Sequence, residues 1–171
     1  SFQDAGSSFA TSRVLREMAE AGELDTRLWV MVRDSNERLA EQLAGARVVG
    51  AGDHRFTLRA IKRTLDGALG SRGAWLLEPY SDAPDSVGLN TASLESVAET
   101  ARLAAVHDYQ LCVHAIGDRA NRETLDLFET TLERHGKLGG DHRWRVEHAQ
   151  HLSLGDVPRF ATSLARCAGF T

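Results

Sequence analysis

Short apolar runs alternate along this chain with stretches whose apolar residues recur every three or four positions. Leu28-Trp29-Val30-Met31-Val32 is continuously apolar and predicts a buried strand. Thr57 to Lys62 predicts a second, less apolar strand, and Leu111 to His114 and Trp144 to His148 predict two more. Ser1 to Gly6 reads as the end of a further strand. The intervening stretches have helical spacing. Residues 9–22 predict a helix with Val14 and Met18 inward. Leu94, Val97, Ala98 and Ala101 fall on one face of another, with Ser93 placed to cap it. Leu125, Phe128 and Leu132 share a face of a third, whose first turn begins near Asp118. Ser153-Leu154-Gly155-Asp156 resembles a capping box, and Val157, Phe160 and Leu164 then form a stripe.

Repeated strand–helix units imply an α/β fold with a parallel sheet and helices outside it. A barrel and an open sheet both fit. A complete eight-stranded α/β barrel takes about 250 residues. The chain has 171 residues and roughly five such units, and it starts without methionine. Residues 1–171 therefore read as a central piece of a barrel. A partial barrel has open edge strands, which favour self-association. One stretch breaks the rhythm: residues 66–90 are too long for a simple strand-to-helix turn. Trp75, Leu76, Leu77 and Tyr80 make this loop too apolar for disorder. It is expected to cover the strand ends like a lid.

Composition narrows the function classes. Hydrophobic residues make up 42% and charged residues 26%, a globular mix. The net charge of −4 leaves no basic footprint for nucleic acid. No apolar run is long enough to cross a bilayer. The two cysteines, Cys112 and Cys167, form neither a disulfide framework nor a CxxC pair. Cys112 reads as a small core residue, and a reducing cytoplasm fits the pair.

The chemistry concentrates at strand ends. His114 and His148 each close an apolar run, one strand–helix unit apart. That is where α/β barrels place catalytic groups. Each alone is equally well a half-buried, hydrogen-bonded histidine. Together, on strands about 4.8 Å apart, they are able to converge on one metal ion, since neutral imidazole is a common metal ligand. Lys62 ends the strand before the long loop. A lysine there usually reaches solvent. A desolvated one is able to act as a Schiff-base nucleophile, and a carbamate formed with CO2 ligates metal as a carboxylate does. Asp118 reads as a helix N-cap or as a carboxylate supporting a histidine ligand. Glu147 precedes His148, so it points to the opposite face and is expected to pair with Arg119 or Arg145. His54, His107, His135, His142 and His151 read as solvated. There is no phosphate-binding loop, GxSxG elbow or HExxH.

Four segments together carry a resemblance. They are Ile61-Lys62 with Asp66-Gly67-Ala68-Leu69-Gly70-Ser71-Arg72, then Glu78-Pro79-Tyr80-Ser81-Asp82, then His114 to Ala120, then Arg145 to Gln150. In order and spacing, over nearly the whole chain, they resemble amidohydrolase family 3, in its YtcJ-like branch. The resemblance implies a partial TIM barrel of the metal-dependent hydrolase type, about strands two to six with their helices. It implies hydrolysis of an amide-type, non-peptide C–N bond in a small molecule by metal-activated water. It also implies one or two divalent ions, zinc foremost, with His114 and His148 as ligands and Lys62 as the carbamylated bridging lysine. Asp66, Arg72, Tyr80 and Asp118 would be supporting or substrate-loop residues. The family's first-strand His-x-His pair and last-strand aspartate have no counterpart here, so the chain alone is expected to be inactive. Residues 163–171 depart from the family pattern. Two other readings stand beside this one: a Schiff-base lyase using Lys62, and a truncated barrel domain without catalysis.

Overall fold

The computed structural model describes residues 1–161 and the short strand 166–168. The elements alternate along the chain. Strand β1 (Phe2–Ser7), helix α1 (Phe9–Glu20), β2 (Leu28–Val32) and α2 (Asn36–Ala46) come first. A three-residue strand β3 (Val48–Gly50) and a short turn α3 (Ala51–His54) precede the long β4 (Phe56–Thr64). After the 66–90 loop come α4 (Leu94–Val106), β5 (Gln110–Ala115), α5 (Asp118–Arg134), β6 (Arg145–His148), α6 (Val157–Ala161) and β7 (Arg166–Ala168). The strand order is β1-β2-β4-β5-β6-β7, every pair parallel, while β3 lies antiparallel against β4. The expected parallel sheet is present. The antiparallel β3 and the turn after it had no signal in the hydrophobic pattern.

The sheet curls. Gln3 on β1 accepts a hydrogen bond from Arg145 on β6 at 3.0 Å. Four inter-strand spacings separate these strands, about 19 Å in a flat sheet. Two extended side chains do not span that distance, so the strands bend into part of a barrel. The convex side holds the main core. Val30, Val32, Phe56, Ile61, Leu111, Val113 and Val146 pack there against Phe9, Leu39, Leu43, Val97, Leu125, Phe128 and Leu132. Trp144 closes the core edge-on to Phe128, ring centroids 5.2 Å apart. The concave side is thinner and more polar, with Trp29, Met31, Ala60 and Cys112 as its apolar part.

Helix starts follow local chemistry. Ser8, Ser35 and Ser93 adopt extended backbone and accept from the amides of Thr11, Arg38 and Ser96, each satisfying an N–H that lacks an intrahelical partner. Some inward faces differ from the periodic reading. Val14 is 55% exposed, and α1 buries Phe9, Ser12 and Ala19 instead. Leu15 packs against the core, so the buried face is set one position away from Val14. Ala98 is likewise exposed, and α4 buries Val97, Ala101, Ala104 and Ala105. Ser153 does not cap α6; its hydroxyl accepts from Arg122 and the helix begins later, at Val157. Leu164, and residues 163–165 and 169–171 of the atypical C-terminal stretch, lie outside the described residues.

The 66–90 loop covers the strand ends as a fixed cap with its own small core. Ala74, Leu76 and Tyr80 cluster with Ile116 from the turn after β5. Backbone bonds from the Gly67 amide to Gly73, from the Gly73 amide to Ala68 and from the Leu76 amide to Val87 tie the loop to itself. A Cβ on Gly117 would lie 2.0 Å from the carbonyl oxygen of Trp75, so only glycine lets the loop approach this closely.

Candidate metal centre

Lys62, His114 and His148 occupy three successive strands, β4, β5 and β6, toward their carboxyl ends. The two imidazoles meet edge to face, with ring centroids 4.5 Å apart and planes at 72°. The pairing predicted from strand ends is therefore present in space. His114 is half-buried, and the carbonyl of Gly67 takes a hydrogen bond from its ring. Its Nε2 is buried and has no hydrogen-bond partner. Burial, the neighbouring His148 and then Lys62 push His114 below the usual histidine pKa, against the opposing charge of Asp66. The neutral imidazole, with a free lone pair, is thus the favoured form.

Lys62 lies deeper. It pairs in register with Cys112, two residues before His114, and is only 6% exposed. Its ammonium has one acceptor, the carbonyl of Arg63 at 3.0 Å. Burial lowers its pKa from 10.5 to about 8, partly opposed by the negative charge of Glu147. Glu147 corrects the sequence reading in one respect. It pairs with Arg145 at 2.7 Å, one of the two partners expected. It is also the register partner of His114, so it shares the concave face with the site rather than facing away from it. Strand alternation placed it opposite His148 correctly. The error was to assume that His148 sits on the concave side by alternation. Arg145 completes this floor, stacked over Trp29 at 4.5 Å.

Asp66 is the best-bonded polar residue of the site. Its fully buried carboxylate accepts from the amides of Trp75 (3.0 Å), Ile116 (2.9 Å) and Gly117 (2.8 Å). One oxygen stands 3.6 Å from His114 Nε2. It thereby fixes the long loop to the turn after β5, beside the Nε2 edge of His114. Asp118 is the first residue of α5 rather than its N-cap, which is Gly117. Its carboxylate accepts from the Leu77 and Arg119 amides and stands 3.9 Å from His151. Tyr80 donates its hydroxyl to the Ala74 carbonyl inside the loop core. Arg72 pairs at the surface with Asp82. Neither has a contact with the imidazole pair among the described residues. The spacing of Asp66 from Lys62 gave no hint of the three amide bonds, because two of the donors come from a turn 50 residues later.

A family-level comparison agrees with this geometry. The sequence profile of the amidohydrolase family matches residues 3–170. The chain belongs to the amidohydrolase family. Among curated proteins it is 39% identical over 103 residues to Protein LONG AFTER FAR-RED 3 of Arabidopsis thaliana, covering 60% of this chain and 17% of that protein. It is 39% identical over 102 residues to Putative amidohydrolase YtcJ of Bacillus subtilis (strain 168), covering 60% and 18%. Two solved structures, uncharacterized metal-dependent hydrolases from Pyrococcus horikoshii OT3 and Pyrococcus furiosus, superpose with TM-scores of 0.78 and 0.77. Their identities are 28% and 26%, and each match covers 97% of this chain and 32% of the other. The chain thus spans less than a fifth of the curated relatives and about a third of the solved ones. Its curled parallel sheet is a half-barrel of the metal-dependent hydrolase fold. Among the described residues no helix is long and apolar enough to cross a membrane.

The residues present fit a metal in part. His114 Nε2 is buried without a hydrogen-bond partner, and the His148 ring packs edge-on beside it. Among the described residues no three His, Cys, Asp or Glu side chains gather as a ligand group.

Proposed function

We propose that this chain contributes His114, His148 and Lys62 to the metal centre of a hydrolase that cleaves an amide-type, non-peptide C–N bond in a small molecule. The observation that carries the reading is the buried, unpartnered His114 Nε2 next to a second strand-end imidazole. Zinc is an ion that imidazole donors commonly bind, and it would supply Lewis acidity that polarises a carbonyl and makes water acidic near neutral pH. His114 and His148 would hold it as neutral ligands. The Gly67 carbonyl would orient the His114 ring, and Asp66 places a negative charge 3.6 Å from Nε2, at the edge of the ring that would face the ion. Lys62, with a pKa near 8, has an appreciable unprotonated fraction at neutral pH. That is the form that adds CO2 to become a carbamate, our assignment for its role. The 66–90 cap packs over the turn after β5 through Ala74, Leu76 and Tyr80 against Ile116.

The reading extends to a cytoplasmic setting, supported by Cys112 as a free buried thiol, and to self-association through the open strand edges. It also holds that the 171-residue chain has no turnover of its own, since the imidazole pair lacks a third carboxylate or imidazole among the described residues. Chelator-sensitive amide hydrolysis by this chain would contradict that last point. The low pKa of Lys62 also favours a second reading, a Schiff-base nucleophile. Borohydride trapping of a carbonyl compound on Lys62 would support it.

Elemental analysis of the purified chain, beside His114→Ala and His148→Ala, tests the main reading. Bound zinc in the parent, lost in both variants, is the expected result. A folded parent chain that takes up no added zinc would overturn it.

A further inference from the structure

His148 and Ala149 are consecutive non-glycine residues with left-handed backbone, at φ 78° and 44°. Such conformations are costly for residues carrying a Cβ and persist only where the surroundings enforce them. The register shows what this one achieves. His148 pairs with Ala115 across β5 and β6, and Ala115 and Val146 both belong to the convex core. Cross-strand partners share a face, and so do residues two apart on one strand. A regular continuation of β6 would therefore carry His148 toward the helices. Instead its side chain is exposed and its ring lies against His114, which belongs to the concave face.

The turn is held from several directions. The Ala149 side chain is buried, 8% exposed, within the main core. Its amide donates to the Ala115 carbonyl at 3.2 Å, and the His151 amide donates to the Ile116 carbonyl at 2.9 Å. Asn121, fully buried at the start of α5, donates its side-chain amide toward the carbonyls of Ala115, Ile116, Gly117 and His151. The chain is thereby fastened to the end of β5 and the turn after it at Ala149 and again at His151.

We infer that Ala149 is a positioning residue: its buried methyl locks the left-handed turn that swings the His148 ring out of the helix-side register and onto His114. The inference rests on reading the imidazole pair as a metal centre, and the strain is the means by which a strand of the wrong phase supplies a ligand. Glycine at this position keeps the left-handed backbone without strain but frees the turn to adopt others.

The test compares the chain with Ala149→Gly, Ala149→Ser and, as a control, Asp108→Gly. Asp108 is another left-handed residue (φ 57°), in the turn before β5 at the far end of that strand. Three readouts are needed: zinc affinity by calorimetric titration, thermal midpoint without metal, and ring-to-ring proton contacts between His114 and His148 by NMR without metal. For Ala149→Gly the expected result is a zinc affinity lowered about 10–100-fold, loss of the ring contacts, and a midpoint within about 4 °C of the parent, as strain relief offsets the lost methyl. Ala149→Ser, which keeps the Cβ, should retain both affinity and contacts, and Asp108→Gly should change neither. Parent-like affinity and ring contacts in Ala149→Gly would overturn the inference. So would a collapse of its midpoint, which would assign Ala149 to folding alone. If the parent binds no zinc, the metal reading fails, and the ring contacts still decide the positioning role.

Discussion

Replacing Asp66 with alanine tests whether the loop-to-turn joint behind His114 is as strong as its geometry implies. The substitution removes one buried carboxylate and strands three amides, those of Trp75, Ile116 and Gly117. A buried donor left without an acceptor costs about 1–3 kcal/mol. Two of the three bonds are fully buried and the third partly so. Water entering the vacated space recovers some of the loss, and removing a buried charge recovers more. The net expectation is about 4 kcal/mol, a large share of a domain's 5–15 kcal/mol. For a chain of this size that is a midpoint lowered by roughly 8–16 °C. Urea unfolding followed by tryptophan fluorescence measures it, with the slope unchanged if only the folded state is affected. Hydrogen exchange locates it: the Trp75, Ile116 and Gly117 amides should exchange faster than neighbours in β5. Asp66→Asn should cost less than alanine, since its Oδ1 is able to keep the Trp75 and Gly117 amides and its nitrogen faces only the Ile116 amide. An Asp66→Ala chain within about 1 kcal/mol of the parent, or one with no selective exchange at those amides, would refute the reasoning.

Two further outcomes follow from the same geometry. Lys62→Met should stabilise the metal-free chain by up to about 3 kcal/mol below pH 8, because burial lowers the lysine from 10.5 to about 8. Between those values the unfolded lysine holds a proton that the folded one has lost, so the parent gains stability as pH rises and the advantage of the variant fades; a variant less stable than the parent at pH 7 would contradict this. Gly117→Ala should lower the midpoint by several degrees and disturb the loop, since the new Cβ meets the Trp75 backbone; an unchanged near-ultraviolet signal and midpoint would show that the loop yields freely.

Much of the fold was legible because strands β2, β4 and β5 announce themselves as largely apolar runs and the helices between them by their spacing. The joint appearance of His114 and His148 at strand ends was legible for the same reason. Other features were not, each for a physical cause. Val14 and Ala98 are apolar but exposed, because periodicity fixes a helical stripe only to within a residue or so and the sheet decides which edge is covered. Strand β3 is three residues long, too short for a period-two pattern. Asp66 looks like a loop aspartate until the chain returns 50 residues later with amides to bind. Glu147 lies on the site floor by regular pairing with His114, and His148 joins it there only through its left-handed backbone, which alternation cannot foresee where no glycine marks it.

The curl of the sheet has a kinetic consequence. Most strand pairs join neighbours along the chain, with one helix to close each loop, so they form by short steps. The bond between Gln3 and Arg145 closes a loop of 142 residues and depends on all the intervening strands being in place. Such a contact belongs to the end of folding, after the rate-limiting barrier. Arg145 is therefore a latch: its loss should leave the folding rate nearly untouched and let the half-barrel spring open faster.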